Sequence, residues 1–252
     1  MIKKYILTIL ATAFCLISMA QDDLKLKLDS IATSGLEKGI PGIQVIISDS
    51  KGYTIYNYGH HEIEKTTEVN DSTRWRYGSI TKVFTAVMIL QLESEGKLSI
   101  DDSATKYIDL KQHNAAGITI KHLLNHSSGL YNYTASKKLK WEDTPNQCLE
   151  NSLKRKLNFT PGSKYDYCNT GYVILGLIIE KITAQSYQQN ITERIFKPCG
   201  LESMIYCSDD KIPFNTARGY KIKHNKYTDF TEIDHSWANS AGAVLGNLTD
   251  LN

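Results

Sequence analysis

The chain has 252 residues, 41% hydrophobic and 22% charged, which fits one large globular domain or two small ones and excludes a disordered or collagen-like chain. Its formal net charge is +2, and removing Lys3 and Lys4 with a leader leaves equal numbers of acids and bases, so a nucleic-acid partner gains no support. Five cysteines without zinc-finger spacing exclude a dense disulfide scaffold.

Residues 1–20 read as a secretory signal: Lys3 and Lys4, an apolar run from Tyr5 to Met19, and Ser18-Met19-Ala20 before Gln21. Cleavage after Ala20 and a secreted or periplasmic location are expected. The run falls short of the roughly 20 residues a membrane span needs, so no stable span is expected after cleavage. Phe14 stands where a small residue should precede a lipid-modified Cys15, which argues against lipidation. Residues 21–252 read as one partial domain with a helical insert at about 99–210.

Leu24, Leu28 and Ile31 mark an amphipathic helix over residues 23–38, stopped by Gly39, Pro41 and Gly42. Ile43–Ser48 and Tyr53–Tyr58 flank Asp49-Ser50-Lys51-Gly52 as an antiparallel hairpin, and His60-His61-Glu62 reads as a solvated loop rather than a metal site. Thr73–Tyr77 predicts a short strand, and a helix opening at Ser79 is apolar almost all round and so expected inside the protein. From Ser99 to about Tyr165 the chain reads as loops and short helices, one over Ile120–Asn125 capped by Thr119, with a polar excursion from Tyr131 to Asn151. Gly171–Ala184 predicts a second apolar helix, and Ser186 with Gln189 a capping-box start to a third that ends before Pro198. Cys199 and Cys207 are the candidate disulfide, with free buried thiols the equal alternative. The fold class is α+β.

Ser-x-x-Lys occurs five times, at Ser48/Lys51, Ser79/Lys82, Ser94/Lys97, Ser103/Lys106 and Ser208/Lys211. Only Ser79 has a strand pattern before it and a long helix after it. Residues three apart on a helix are neighbours, so the Lys82 amine can reach the Ser79 hydroxyl, as a serine nucleophile with a lysine partner requires. Tyr167-x-Asn169, the one Tyr-x-Asn in the chain, offers a phenol for proton transfer and an amide for a substrate contact. His126 reads as closing a helix end rather than as a catalytic base.

Here the chain resembles the serine β-lactamase and penicillin-binding protein superfamily, in the branch of class C β-lactamases, D-alanyl-D-alanine carboxypeptidases and related esterases. The likeness adds Glu95-Gly96-Lys97-Leu98 with Asp101-Asp102, the run Ile118–Leu130, and Gly171–Glu180. It implies a β-lactamase/transpeptidase-like fold, an antiparallel sheet flanked by helices with an all-helical region. It also implies Ser79 as the acylated nucleophile, Lys82 as base or proton shuttle, Tyr167 as a second proton-transfer group and Asn169 as a substrate contact. Either Lys82 or Tyr167 is left as the base. The implied reaction is acyl-enzyme hydrolysis of β-lactams, D-alanyl peptides or small esters. No cofactor or metal is implied, and the partner is a small-molecule or peptide substrate.

The family's third element, Lys-Thr-Gly or His-x-Gly, does not follow Asn169, and the last residues, Ser240–Asn252, resemble its glycine-rich turn and next helix. The expectation is therefore a chain cut short, its C-terminal strands missing, and weakly active or inactive alone. A non-catalytic or slowly deacylating binder of penicillins or peptidoglycan peptides is the alternative. An α/β-hydrolase is excluded by the lack of Gly-x-Ser-x-Gly and of a βαβ rhythm.

Overall fold

A helix and a hairpin open the described chain, which in this computed structural model comprises residues 23–110, 115–136, 144–207, 212–224, 226–231 and 236–252. The expected leader, Cys15 and the Ser208/Lys211 pair lie outside these residues. The chain divides into two compact units, residues 1–71 and 72–252.

In the first unit, helix α1 covers residues 23–37. Its covered side runs through Leu28, Ala32, Gly35 and Leu36, while Leu24 and Ile31 face solvent, so the expected apolar stripe is misplaced. Gly35 makes that side close-fitting: a Cβ there would sit 2.9 Å from Ile43 Cδ1, so the isoleucine end would have to move. Strands β1 (Gly42–Asp49) and β2 (Gly52–Gly59) pair antiparallel from Gly42↔Gly59 to Asp49↔Gly52. Asp49 Oδ1 accepts the Lys51 N–H at 2.7 Å across the two-residue loop. His61 and Glu62 are buried, contrary to the expected solvated loop. The Glu62 carboxylate accepts from the Thr66 and Thr67 N–H groups, each at 2.7 Å, and from the Thr66 hydroxyl, which ties the turn inward.

The second unit begins with β3 (Arg74–Arg76), a 3₁₀ turn over Gly78–Ile80, and α2 (Thr81–Ser94). Met88, Ile89 and Leu92 of α2 are fully buried, but Val83 is 59% and Leu90 49% exposed, with Ile80 and Val87 beside them. The helix is thus covered on one side only, and the expectation of burial all round is corrected.

Thr119 caps α3 (Ile120–Leu124) in a capping box with His122. Inside the expected polar excursion lies a capped helix, α4 (Pro145–Leu153), with Thr144 and Gln147 as its box and Pro145 in its first turn, where a missing N–H is harmless. Helix α5 (Asn169–Thr183) starts two residues earlier than its apolar run and buries Val173, Ile174, Leu175, Ile178 and Ile179 against α2.

Helix α6 (Tyr187–Ile191), started by Ser186 and Gln189, continues through a π turn (Thr192–Phe196) into α7 (Lys197–Cys199). The helical path therefore passes Pro198 instead of stopping before it. The π turn resets the hydrogen-bond register, so the proline falls in a new first turn.

Strands β4 (Ile205–Tyr206) and β7 (Val244–Asn247) join β3 in an antiparallel sheet of order β3-β7-β4, β5 (Tyr220–Lys223) pairs with β6 (Lys226–Asp229), and α8 (Leu248–Leu251) follows β7. Cys148, Cys168, Cys199 and Cys207 are all outside any disulfide. No Cys199–Cys207 bridge forms, because Cys199 ends α7 in solvent and Cys207 is buried after β4.

Candidate active site

Three anchors fix the entry to α2. The Tyr77 N–H donates to Val244 O at 2.9 Å and its hydroxyl to Asn247 O, while the Val244 N–H donates to Thr81 Oγ1 at 3.1 Å. Between these tethers to β7, Gly78 takes φ +52, a value that favours glycine, and turns the chain so that Ser79 faces solvent.

The structure brings Ser79, Lys82 and Tyr167 together. The Lys82 amine donates to Ser79 Oγ at 3.1 Å and to Ala241 O at 2.6 Å. The Tyr167 hydroxyl lies 2.6 Å from Ser79 Oγ. Lys82 is only 6% exposed, and its Nζ sits 5.1 Å from the Tyr167 ring centroid and 5.5 Å from that of Tyr172. Burial pushes the Lys82 amine below the ordinary lysine value, against the pull of the neighbouring Tyr167 hydroxyl towards the charged form.

Asn169 directs its hydrogen bonds elsewhere. As the first residue of α5 it donates through Nδ2 to Thr134 Oγ1 at 3.1 Å, and its N–H donates to Asn132 Oδ1 at 3.3 Å. It does line the same cavity, of about 330 Å³, with Ser79, Thr134, Arg76, Trp237 and Gly242.

The loop over residues 236–241 carries a contribution that sequence reasoning missed. Ala241 acts through its carbonyl, which leaves no side-chain signal. Asn239 bends this loop with φ 38° and ψ −134°, a strained conformation outside glycine, and its Oδ1 accepts the Ser240 N–H at 2.5 Å and the Tyr206 hydroxyl at 3.1 Å. Thr134 was equally hidden, one hydroxyl among many in a polar stretch. His126 does end α3, in the left-handed region at φ +61.

The family described as Beta-lactamase matches residues 26–252. Protein flp of Staphylococcus aureus strain MW2 is 30% identical over 242 residues, covering 91% of this chain and 48% of that protein. A D-stereospecific amidohydrolase from Streptomyces sp. superposes with a TM-score of 0.76 at 29% identity, over 84% of this chain and 66% of that one. The D-amino acid amidase of Ochrobactrum anthropi SV3, complexed with L-phenylalanine amide, gives a TM-score of 0.80 at 25% identity, over 91% and 68%. The chain therefore spans about half the length of the curated relative and about two thirds of the solved ones. Because the family match takes in nearly all the described chain and each of Ser79, Lys82, Tyr167 and Asn169, the chain belongs to the beta-lactamase family.

Proposed function

We propose that this chain is a serine hydrolase that forms an acyl-enzyme on Ser79, acting outside the cytoplasmic membrane on amides or esters of small acyl groups. The observation that carries the reading is that one exposed hydroxyl is bonded at once by a buried amine and by a phenol, at 3.1 and 2.6 Å.

Ser79 Oγ attacks the substrate carbonyl carbon and its proton leaves to Lys82 or Tyr167. For Lys82 the Ala241 carbonyl supports the role of base: a neutral amine has two N–H groups and one lone pair, and an N–H held at 2.6 Å by that carbonyl leaves the lone pair free to turn to Ser79. Burial, which lowers the proton affinity of Lys82, supports it too. The oxyanion of the tetrahedral intermediate meets the Ser79 N–H, at the start of the 3₁₀ turn that leads into α2. Tyr167 gives its proton to the leaving group and is reprotonated from Lys82; water then attacks the acyl carbon, its proton passing to the same pair, which returns one to Ser79 Oγ as the acyl bond breaks. Asn169 and Thr134 offer a polar edge to an amide, and Trp237 an apolar wall. The amidohydrolase and the amidase among the solved relatives support amides of D-amino acids as a first substrate class, with β-lactams, D-alanyl peptides and simple esters beside them.

The test combines intact-mass measurement after a fluorophosphonate probe with turnover of D-phenylalanine amide, a nitrophenyl ester and a chromogenic cephalosporin. One adduct on the wild type, none on Ser79→Ala, and release of product from at least one substrate are expected. An adduct that survives in Ser79→Ala overturns the reading. Stoichiometric acylation by a penicillin with no turnover of any substrate replaces it with the slowly deacylating binder.

A further inference from the structure

Tyr167 is 38% exposed, yet its hydroxyl meets Ser79 Oγ at 2.6 Å, so something must hold a half-free phenol in place. His126 touches the segment around it at three points. Its carbonyl accepts the Asp166 N–H at 2.9 Å. Its Nδ1 accepts the Cys168 N–H at 3.2 Å. Its ring lies against the Tyr167 ring, centroids 4.6 Å apart and planes 36° from parallel. The N–H groups on either side of Tyr167 and the face of its ring are thus all engaged by one residue. The turn after α3 puts that residue there with φ +61, a left-handed backbone that histidine adopts more readily than most residues other than glycine.

We infer that His126 is a positioning residue for Tyr167, holding the phenol on Ser79 through a neutral imidazole whose Nδ1 carries no proton. This rests on the acyl-enzyme reading of the site. An acceptor Nδ1 puts the proton of the neutral ring on Nε2. A second proton would set an N–H against the Cys168 N–H and break the contact.

The groups around the ring favour the neutral form. The Lys82 amine approaches from α2, Tyr172 from α5 with centroids 5.2 Å apart, and Tyr165 edge-on at 5.9 Å. Asp166 is the carboxylate of the adjoining segment and His122 the other imidazole of its own turn. Burial lowers the proton affinity of His126, and so does Lys82 whenever it carries its proton.

Two variants of the whole chain test this by acylation rate on a nitrophenyl ester, with melting temperature measured alongside. His126→Asn keeps an acceptor in the Nδ1 position and tolerates the left-handed backbone, but loses the ring and the titration. His126→Phe keeps a ring and loses the acceptor. A fall of kcat of about 10²-fold for His126→Phe and about tenfold for His126→Asn is expected, with KM little changed, since misplacement of a reacting group by about 1 Å costs that much. The wild-type activity also drops on acidification below the ordinary imidazole range, and His126→Asn loses that step. Both variants acylating at the wild-type rate, with only melting lowered, overturns the inference and leaves the site reading intact. No acylation of the wild type overturns the site reading, and the inference with it. Nitrogen NMR of the wild-type imidazole gives a readout without turnover: a proton on Nδ1 overturns the inference, and an Nε2–H tautomer is expected.

Discussion

The 3₁₀ turn before α2 and α2 itself carry two phenol–hydroxyl pairs, at Ser79 and six residues on at Thr85, and they behave differently. Ser79 Oγ meets Tyr167 OH at 2.6 Å; Thr85 Oγ1 meets Tyr187 OH at 2.7 Å. Both are stitched to the same loop, through Lys82 to Ala241 O at 2.6 Å and through Thr85 to Ser240 O at 2.7 Å. In the inner pair the proton order is fixed. Ser240 O can only accept, so the Thr85 hydroxyl donates to it and Tyr187 must donate to Thr85. Tyr187 is 2% exposed and burial raises its pKa far above the ordinary phenol value, so no proton leaves. In the outer pair a nitrogen takes the place of that carbonyl, and either oxygen can be the donor. A buried staple differs from a proton-transfer site by which neighbour fixes the hydrogen.

Replacing the nitrogen should turn the outer pair into another inner one. Lys82→Met is expected to reduce turnover about 10³-fold, the scale of general acid–base catalysis, without lowering the melting temperature, since it removes a buried cation. Tyr167→Phe should cost about 10²-fold in turnover and less than about 0.5 kcal/mol in stability by urea unfolding.

The inner pair should respond the other way round. A Cβ on Gly176 would stand 2.6 Å from Ser240 Cβ, so Gly176→Ala should destabilise by about 1–3 kcal/mol through overpacking. Tyr187→Phe should cost about 1 kcal/mol, one buried hydrogen bond, and leave turnover within about twofold. Equal losses of activity in Tyr167→Phe and Tyr187→Phe would erase the distinction.

The smallest effect is on the pH dependence of stability. Lys82 binds its proton less tightly folded than unfolded, so its contribution is unfavourable below its folded pKa and fades as pH rises towards the ordinary value of 10.5. Wild-type stability relative to Lys82→Met should therefore rise with pH across that window, as read from paired unfolding curves.

Much of this was legible in the sequence where a local rule acts alone. The hairpin followed from two β-rich runs around Asp49-Ser50-Lys51-Gly52, and the α3 and α6 starts from their caps. Ser79, Lys82 and Tyr167 were found by spacing and by family likeness, and they do meet.

What escaped were decisions made by tertiary contact. The α1 stripe misled because the covered side runs through Ala32 and Gly35 with Leu28 and Leu36, which leaves Leu24 and Ile31 in solvent. The apolar residues of α2 carry no mark of which side stays uncovered. Residues 244–247 read as part of a glycine-rich turn, yet Val244–Asn247 is the central strand between β3 and β4, paired with partners far away in sequence. The Thr144-Pro145-x-Gln147 cap was visible and overlooked, hidden by the polarity around it.

The bend at Asn239 has a consequence for mutational tolerance. Its backbone favours glycine, but glycine would forfeit the amide oxygen that holds Ser240 and Tyr206, so each obvious replacement fails in a different way. A library randomised over residues 237–239 and selected for any substrate should therefore diversify at Trp237 and Ala238, which face the cavity, and return Asn at 239 almost unchanged. The cavity wall can vary because the residue beside it cannot.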